Sequence, residues 1–123
     1  MHVVALQYDI AWENREANFD IVRRLLTGAA VSPGSLIVLP EMFSTGFSMN
    51  VARVAEATAS ETEKFLSSLA WQYESHVVGG LVSKDPGSSL GRNEVAVYDP
   101  SGRPVALYQK NYTFSYSDES TNY

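Results

Sequence analysis

Residues Val38 to Phe47 read VLPEMFSTGF. Four apolar residues, Leu36 to Leu39, run into Pro40, and Glu41 follows at once, ahead of Met42, Phe43 and a turn of small residues. A short continuous apolar run reads as a buried strand of a sheet covered on both faces. Proline stiffens the exit, because its φ is fixed and it has no N–H for the ladder. In open α/β sheets, sites form beyond the carboxyl ends of strands, which is where this acid stands. Met42 and Phe43 are expected to desolvate the Glu41 carboxylate, an environment that suits a general base. The plainer alternative is a solvated acid opening a turn, and spacing alone leaves both open.

Working outward, Val3 to Tyr8 is apolar and β-rich and reads as a strand. Glu13-Asn14 can open a helix, since a short polar side chain accepts from the free N–H groups of a first turn. Phe19, Val22, Leu26 and Ala29 then recur at spacings of three and four, with Ile21 and Leu25 widening the stripe. Ser32-Pro33-Gly34-Ser35 ends that helix. Glu41 to about Ala57 reads as a long loop. Ser60 and Glu63 have the spacing of a capping box, and Phe65, Leu66, Leu69, Ala70 and Tyr73 make the apolar face of a second helix. Val77 to Val82 is another strand, whose Gly79-Gly80 predicts a close backbone approach. Glu94 to Tyr98 and Val105 to Tyr108 are strands joined by the turn Asp99-Pro100-Ser101-Gly102. The order is β-α-β-α-β-β-β, an α/β chain without internal repeats.

At 123 residues, with 45% hydrophobic and 19% charged, the chain is expected to be one globular domain. Fourteen acids against nine bases give a net charge of −5, which argues against nucleic acid as a partner. No apolar run approaches the roughly 20 residues that span a bilayer, so no membrane partner is expected. The start MHVVALQYDI has neither a basic segment nor a small-residue cleavage site, so a cytoplasmic location is expected. The absence of cysteine excludes disulfides and thiolate metal sites. His2 and His76 have no ligand spacing to each other or to acids, and no metal or organic cofactor is expected.

Gly87-Ser88-Ser89-Leu90-Gly91 matches the G-x-S-x-G elbow of serine hydrolases. That motif needs a helix after it and a histidine downstream, whereas here a strand follows and the last histidine is His76, so a hairpin loop is the better reading. Asn111-Tyr112-Thr113 is a glycosylation sequon by pattern, with meaning only in a secreted chain. Lys110 closes a strand, where a cation can stabilise an oxyanion or simply snorkel to solvent. Glu119, taken alone, is an ordinary loop acid.

Taken together, LIVLPEMFSTGF and LYQKNYTFSYSDE resemble the nitrilase superfamily of carbon–nitrogen hydrolases, in its ω-amidase-like branch. The resemblance runs from Val3 to Tyr123. It implies an αββα sandwich, present here as an incomplete N-terminal portion, and a Glu-Lys-Cys triad with a second, supporting glutamate. Glu41 falls on the catalytic glutamate, Lys110 on the lysine and Glu119 on the supporting acid. Phe114 and Asp118 also match the branch, and Trp12, Asn18 and Asn93 fit it more weakly. After the lysine the branch carries a basic residue, a histidine and a leucine; Asn111, Tyr112 and Thr113 stand here instead and bear on how Lys110 is held. The nucleophilic cysteine of the family lies downstream of the lysine and is absent from this chain. The implied partner is a small amide such as the ω-amide of a 2-oxo dicarboxylate. Half a sandwich also leaves an apolar sheet face open, which predicts a homo-oligomer. Two other readings stand beside this one. One is a non-catalytic binding or scaffold protein that keeps the half-fold. The other is an unrelated α/β binder, in which Glu41 and Lys110 would not share a cleft.

Overall fold

The computed structural model describes residues 2–57, 59–114 and 118–123. Ser115 to Ser117, inside the second stretch quoted above, therefore lie outside the described residues. One five-stranded sheet runs through the molecule in the order β1 (Val3–Ala5), β2 (Leu36–Val38), β3 (His76–Ser83), β4 (Arg92–Tyr98), β5 (Pro104–Gln109). β1, β2 and β3 are parallel, and β4 and β5 complete an antiparallel meander.

Helix α1 (Arg15–Gly28) joins β1 to β2, and α3 (Glu61–Gln72) leads into β3. The side chain of Asn14 accepts from Ala17 N–H to start α1. Ser60 and Glu63 form the expected capping box at α3, which satisfies two otherwise unpaired donors reciprocally. Both helices lie on the same sheet face. Right-handed crossovers between strands laid down in sequence order place successive helices on one side. Phe19, Val22 and Leu26 of α1 and Phe65, Leu66 and Leu69 of α3 pack there on Ile37, Val77, Leu81 and Ala96. Phe19 and Phe65 stack with centroids 4.0 Å apart, and Phe43 closes on both at about 6 Å.

Among the described residues no long helix covers the other face, although Val82 at one end of it is buried against Val54, which corrects the expectation of a strand buried on both sides. Ile37 and Leu39 are buried, but Leu36 and Val38 are half-buried and point to the open face together with Val78, Val95, Val97 and Tyr108. All six residues of β5 are exposed. Three further differences are local. β1 stops at Ala5 rather than Tyr8. Leu25 lies on the exposed flank of α1. The long loop after Glu41 carries a short helix, α2 (Val51–Val54), whose Val51 and Val54 are buried.

The glycine pair behaves as its composition suggested. A Cβ on Gly79 would stand 2.5 Å from the Leu66 side chain, on the helix side. A Cβ on Gly80 would stand 2.6 Å from Met42 N and 2.8 Å from Glu41 Cα, on the open side. The chain leaving β2 therefore crosses β3 directly over Gly80. Backbone cannot yield as a side-chain tip can, so Gly80→Ala is expected to cost about 1–3 kcal/mol in urea unfolding. Gly28→Ala, with nothing within 4 Å of the added carbon, should stay within about 1 kcal/mol of wild type on the stabilising side. The open apolar face should also drive self-association: light scattering is expected to give a mass above the 13.5 kDa monomer, and Val97→Lys should lower it. A wild-type chain that scatters as a monomer would contradict this.

Candidate active site

Glu41 follows β2, Lys110 follows β5, and Asn93 is the second residue of β4. Because β4 runs antiparallel to β3 and β5 antiparallel to β4, the end of β5 and the start of β4 lie at the same sheet edge as the end of β2. Topology alone thus brings three sequence-distant residues to one place. The Lys110 backbone N–H donates to Asn93 O at 2.8 Å, fixing the lysine opposite the asparagine.

The backbone around Glu41 is tightly specified. Met42 and Phe43 diverge: Met42 enters a small cluster with Val54 and Val82, while Phe43 enters the main core. Met42 has φ of 47°, a left-handed conformation costing a non-glycine residue roughly 1–3 kcal/mol. Burial of its side chain and two hydrogen bonds to its carbonyl, from Thr45 and Gly46 N–H, hold it there. Buried Asn18 donates to Ala11 O and Ser44 O and accepts from Ala11 N–H, tying the loop to the start of α1. Tyr8 donates to Phe43 O. Trp12 is largely exposed and lies against Gly46.

One expectation is corrected here. Met42 and Phe43 do not wrap the Glu41 carboxylate, because both side chains turn into packed clusters; the Glu41 side chain is 50% exposed. What surrounds it is polar. Lys110 Nζ stands 2.9 Å from Glu41 Oε1 and 3.1 Å from Glu119 Oε2. Asn93 Nδ2 donates to Glu41 Oε1 at 2.6 Å and to Glu119 Oε1 at 2.9 Å. The N–H of Phe114 also donates to Glu119 Oε2. Phe47 places its ring centroid 5.2 Å from Lys110 Nζ, a cation–π contact.

Glu119 is not an ordinary loop acid. It heads the short helix α4 (Glu119–Asn122), preceded by Asp118 in the left-handed conformation, and is fully buried. Tyr123 anchors that helix by donating to Ser48 O and by packing its ring on Gly91. Burial pushes the Glu119 carboxyl up, but hydrogen bonds from Asn93, Phe114 and Lys110 outweigh it and hold the group below its ordinary 4.5. Burial likewise pulls Lys110 down, but hydrogen bonds to Glu41 and Glu119 outweigh it and carry the ammonium above its ordinary 10.5. Asn111 and Tyr112 are exposed and Thr113 is half-buried, and the lysine stands between its two acids.

The cluster sits at one end of a cavity of about 350 Å³ on the open sheet face, walled by Val38, Val78, Val95 and Tyr108. Ser89 lies in the exposed loop between β3 and β4, confirming the hairpin reading of G-x-S-x-G. Among the described residues no group of three acids or histidines could hold a metal ion, and no helix is long and apolar enough to cross a membrane. Sequence reasoning placed Asn93 only as a weak pattern match. One signal was available in the sequence: it is the single polar residue in the alternating row Asn93, Val95, Val97.

The ion pairs set a pH window for stability. A carboxyl that titrates lower when folded stabilises fully above its unfolded value and loses this as pH falls through the folded value. A lysine that titrates higher stabilises fully below its unfolded value and loses this as pH rises through the folded one. The melting-temperature gap between wild type and Glu119→Gln should therefore be flat across neutral pH and shrink below about 4.5. The gap for Lys110→Met should shrink above about 10.5. Gaps unchanged through either range would contradict this assignment.

The profile of the carbon–nitrogen hydrolase family matches residues 2–122. The omega-amidase YafV of Escherichia coli K12 is 27% identical over the whole chain, and that of Yersinia enterocolitica 30%; the chain spans 46% of each. The solved structure of a CN-hydrolase superfamily protein of Xanthomonas campestris, carrying an arsenic adduct in its active site, superposes over the whole chain with a TM-score of 0.87 at 24% identity, again over 46% of its own length. The chain thus spans about half the length of the relatives it matches, which fits one sheet layer of an αββα sandwich with its inner face uncovered. With that match across nearly every residue, the chain belongs to the carbon–nitrogen hydrolase family, as an N-terminal part of its fold.

Proposed function

We propose that these residues form the base-and-cation half of an amidase site, acting on the ω-amide of a short 2-oxo dicarboxylate such as 2-oxoglutaramate. One observation carries the reading: a lysine ammonium held between two carboxylates, 2.9 Å and 3.1 Å away, at the end of an apolar cavity. The omega-amidases of Escherichia coli and Yersinia enterocolitica among its relatives support an ω-amide as the substrate.

The nucleophile in this reading is a cysteine thiol supplied from outside these 123 residues. Glu41 accepts the thiol proton, since the thiolate is the attacking species. Sulfur bonds to the amide carbon, and the carbonyl oxygen takes the negative charge. Two of the three N–H bonds of Lys110 are engaged by the acids, and the third, without a hydrogen-bond partner among the described residues, serves that oxyanion. A pre-placed donor of this kind is worth about 2.7–4 kcal/mol. Glu41 returns the proton to the nitrogen and the C–N bond breaks to release ammonia; the same carboxylate then draws a proton from water as it attacks the thioester, the C–S bond breaks to release the acid, and that proton passes back to the sulfur. Glu119 keeps Lys110 charged and oriented throughout.

A second reading follows from the composition: with no cysteine, the chain by itself is a binding or scaffold protein that retains the half-site. Ammonia release from 2-oxoglutaramate separates the two. The 123-residue chain should show none, since loss of a triad nucleophile costs on the order of 10⁶ in turnover. The longest natural polypeptide containing this sequence should release ammonia, and Lys110→Met should lower its kcat by about 10²–10³. If that polypeptide also lacks activity, the scaffold reading replaces the amidase one.

A further inference from the structure

We propose that Asn93 is the positioning residue of the site: its one side-chain amide clamps Glu41 and Glu119 on either side of Lys110 and leaves Glu41 Oε2 as the proton-accepting oxygen. The clamp is read from geometry, while the role of Oε2 rests on the amidase reading above.

An amide nitrogen carries two N–H bonds, and both are used. Nδ2 lies 2.6 Å from Glu41 Oε1 and 2.9 Å from Glu119 Oε1. The orientation of the amide follows from chemistry. Ionised carboxylates only accept hydrogen bonds, so the nitrogen must face them; a flipped amide would set its oxygen against two acceptors. Asn93 is itself only 5% exposed, near the start of β4, and its carbonyl accepts the Lys110 backbone N–H. The same residue thereby sets the start of the lysine side chain and both of the acids that the side chain reaches.

The clamp also distinguishes the two oxygens of Glu41. Oε1 accepts from Asn93 and from Lys110, whereas Oε2 accepts no hydrogen bond among the described residues. Rotation of the half-exposed carboxylate would exchange them, and the asparagine opposes that rotation because Glu119 holds its other proton. No other small side chain does this. Serine has a single proton to donate and can serve only one acid. Aspartate would add a third carboxylate around one ammonium.

The test has two arms. In ¹⁵N-labelled 123-residue chain, both Asn93 side-chain protons should resonate downfield of exposed asparagine amides and exchange slowly. Glu41→Gln should move one of the pair and Glu119→Gln the other. Where a variant fails to fold, Glu41→Asp and Glu119→Asp decide the point, since each shortened acid should move one proton of the pair. Resonances at free-amide positions, or a single responsive proton, would overturn the clamp. In the second arm, the longest natural polypeptide is assayed with Asn93→Ser. A kcat loss of about 10²-fold with KM nearly unchanged is expected for misplacement of a catalytic group. Unchanged kcat would overturn the role of Oε2 while leaving the amidase reading intact. Failure of that reading appears differently, as paired amide protons in a wild-type protein that releases no ammonia.

Discussion

The crossing of the β2 exit over Gly80 is the constraint on which the rest of the site depends. Pro40, Glu41 and Met42 pass so close to β3 that a single added carbon would meet backbone on the open side. Once the chain has crossed there, Met42 and Phe43 must separate, one into each apolar cluster. Their anchorage leaves Glu41 no freedom except in its own side chain. The strained φ of Met42 is the cost of this turn, balanced by burial and by two hydrogen bonds to its carbonyl.

Lys110 then stands where the meander returns. Two crossovers followed by the β3–β4–β5 meander place the end of β5 at the same end of the sheet as the end of β2, three strands away. The two acids and one ammonium that meet there have opposite solvent conditions. Glu119 is sealed, Glu41 is half open, and Lys110 lies between. That gradient suits a division of labour in which the buried acid fixes the cation and the accessible acid exchanges protons.

Much of the scaffold was legible from local signals. The capping box at Ser60, the Asn14 cap and the apolar spacing of Phe19, Val22 and Leu26 are properties of short segments, and they predict their helices because the hydrogen bonds involved close within one turn. Gly79-Gly80 announced a close approach. Other features were not legible for equally local reasons. Leu36 and Ile37 look alike in sequence, yet only the sheet's pairing decides which one meets a helix and which one an uncovered face. Met42 and Phe43 next to Glu41 suggested a desolvated carboxylate, but adjacency in sequence says nothing about where the side chains turn. Glu119 looked ordinary because the groups that hold its carboxylate, Asn93, Lys110 and the N–H of Phe114, are not its immediate neighbours in sequence.

The sequence by itself determined the elements, the strand ends on which Glu41 and Lys110 stand, and the family pattern that singles out Glu119. These follow from residue spacing and backbone chemistry acting over a few positions. Tertiary structure alone decided that one sheet face is covered by the two long helices and the other largely open, that Glu41 is open to solvent while Glu119 is buried, and that Asn93 joins them. Those outcomes rest on contacts between residues tens of positions apart, and they arise only when the β3–β4–β5 meander sets its register beside β2.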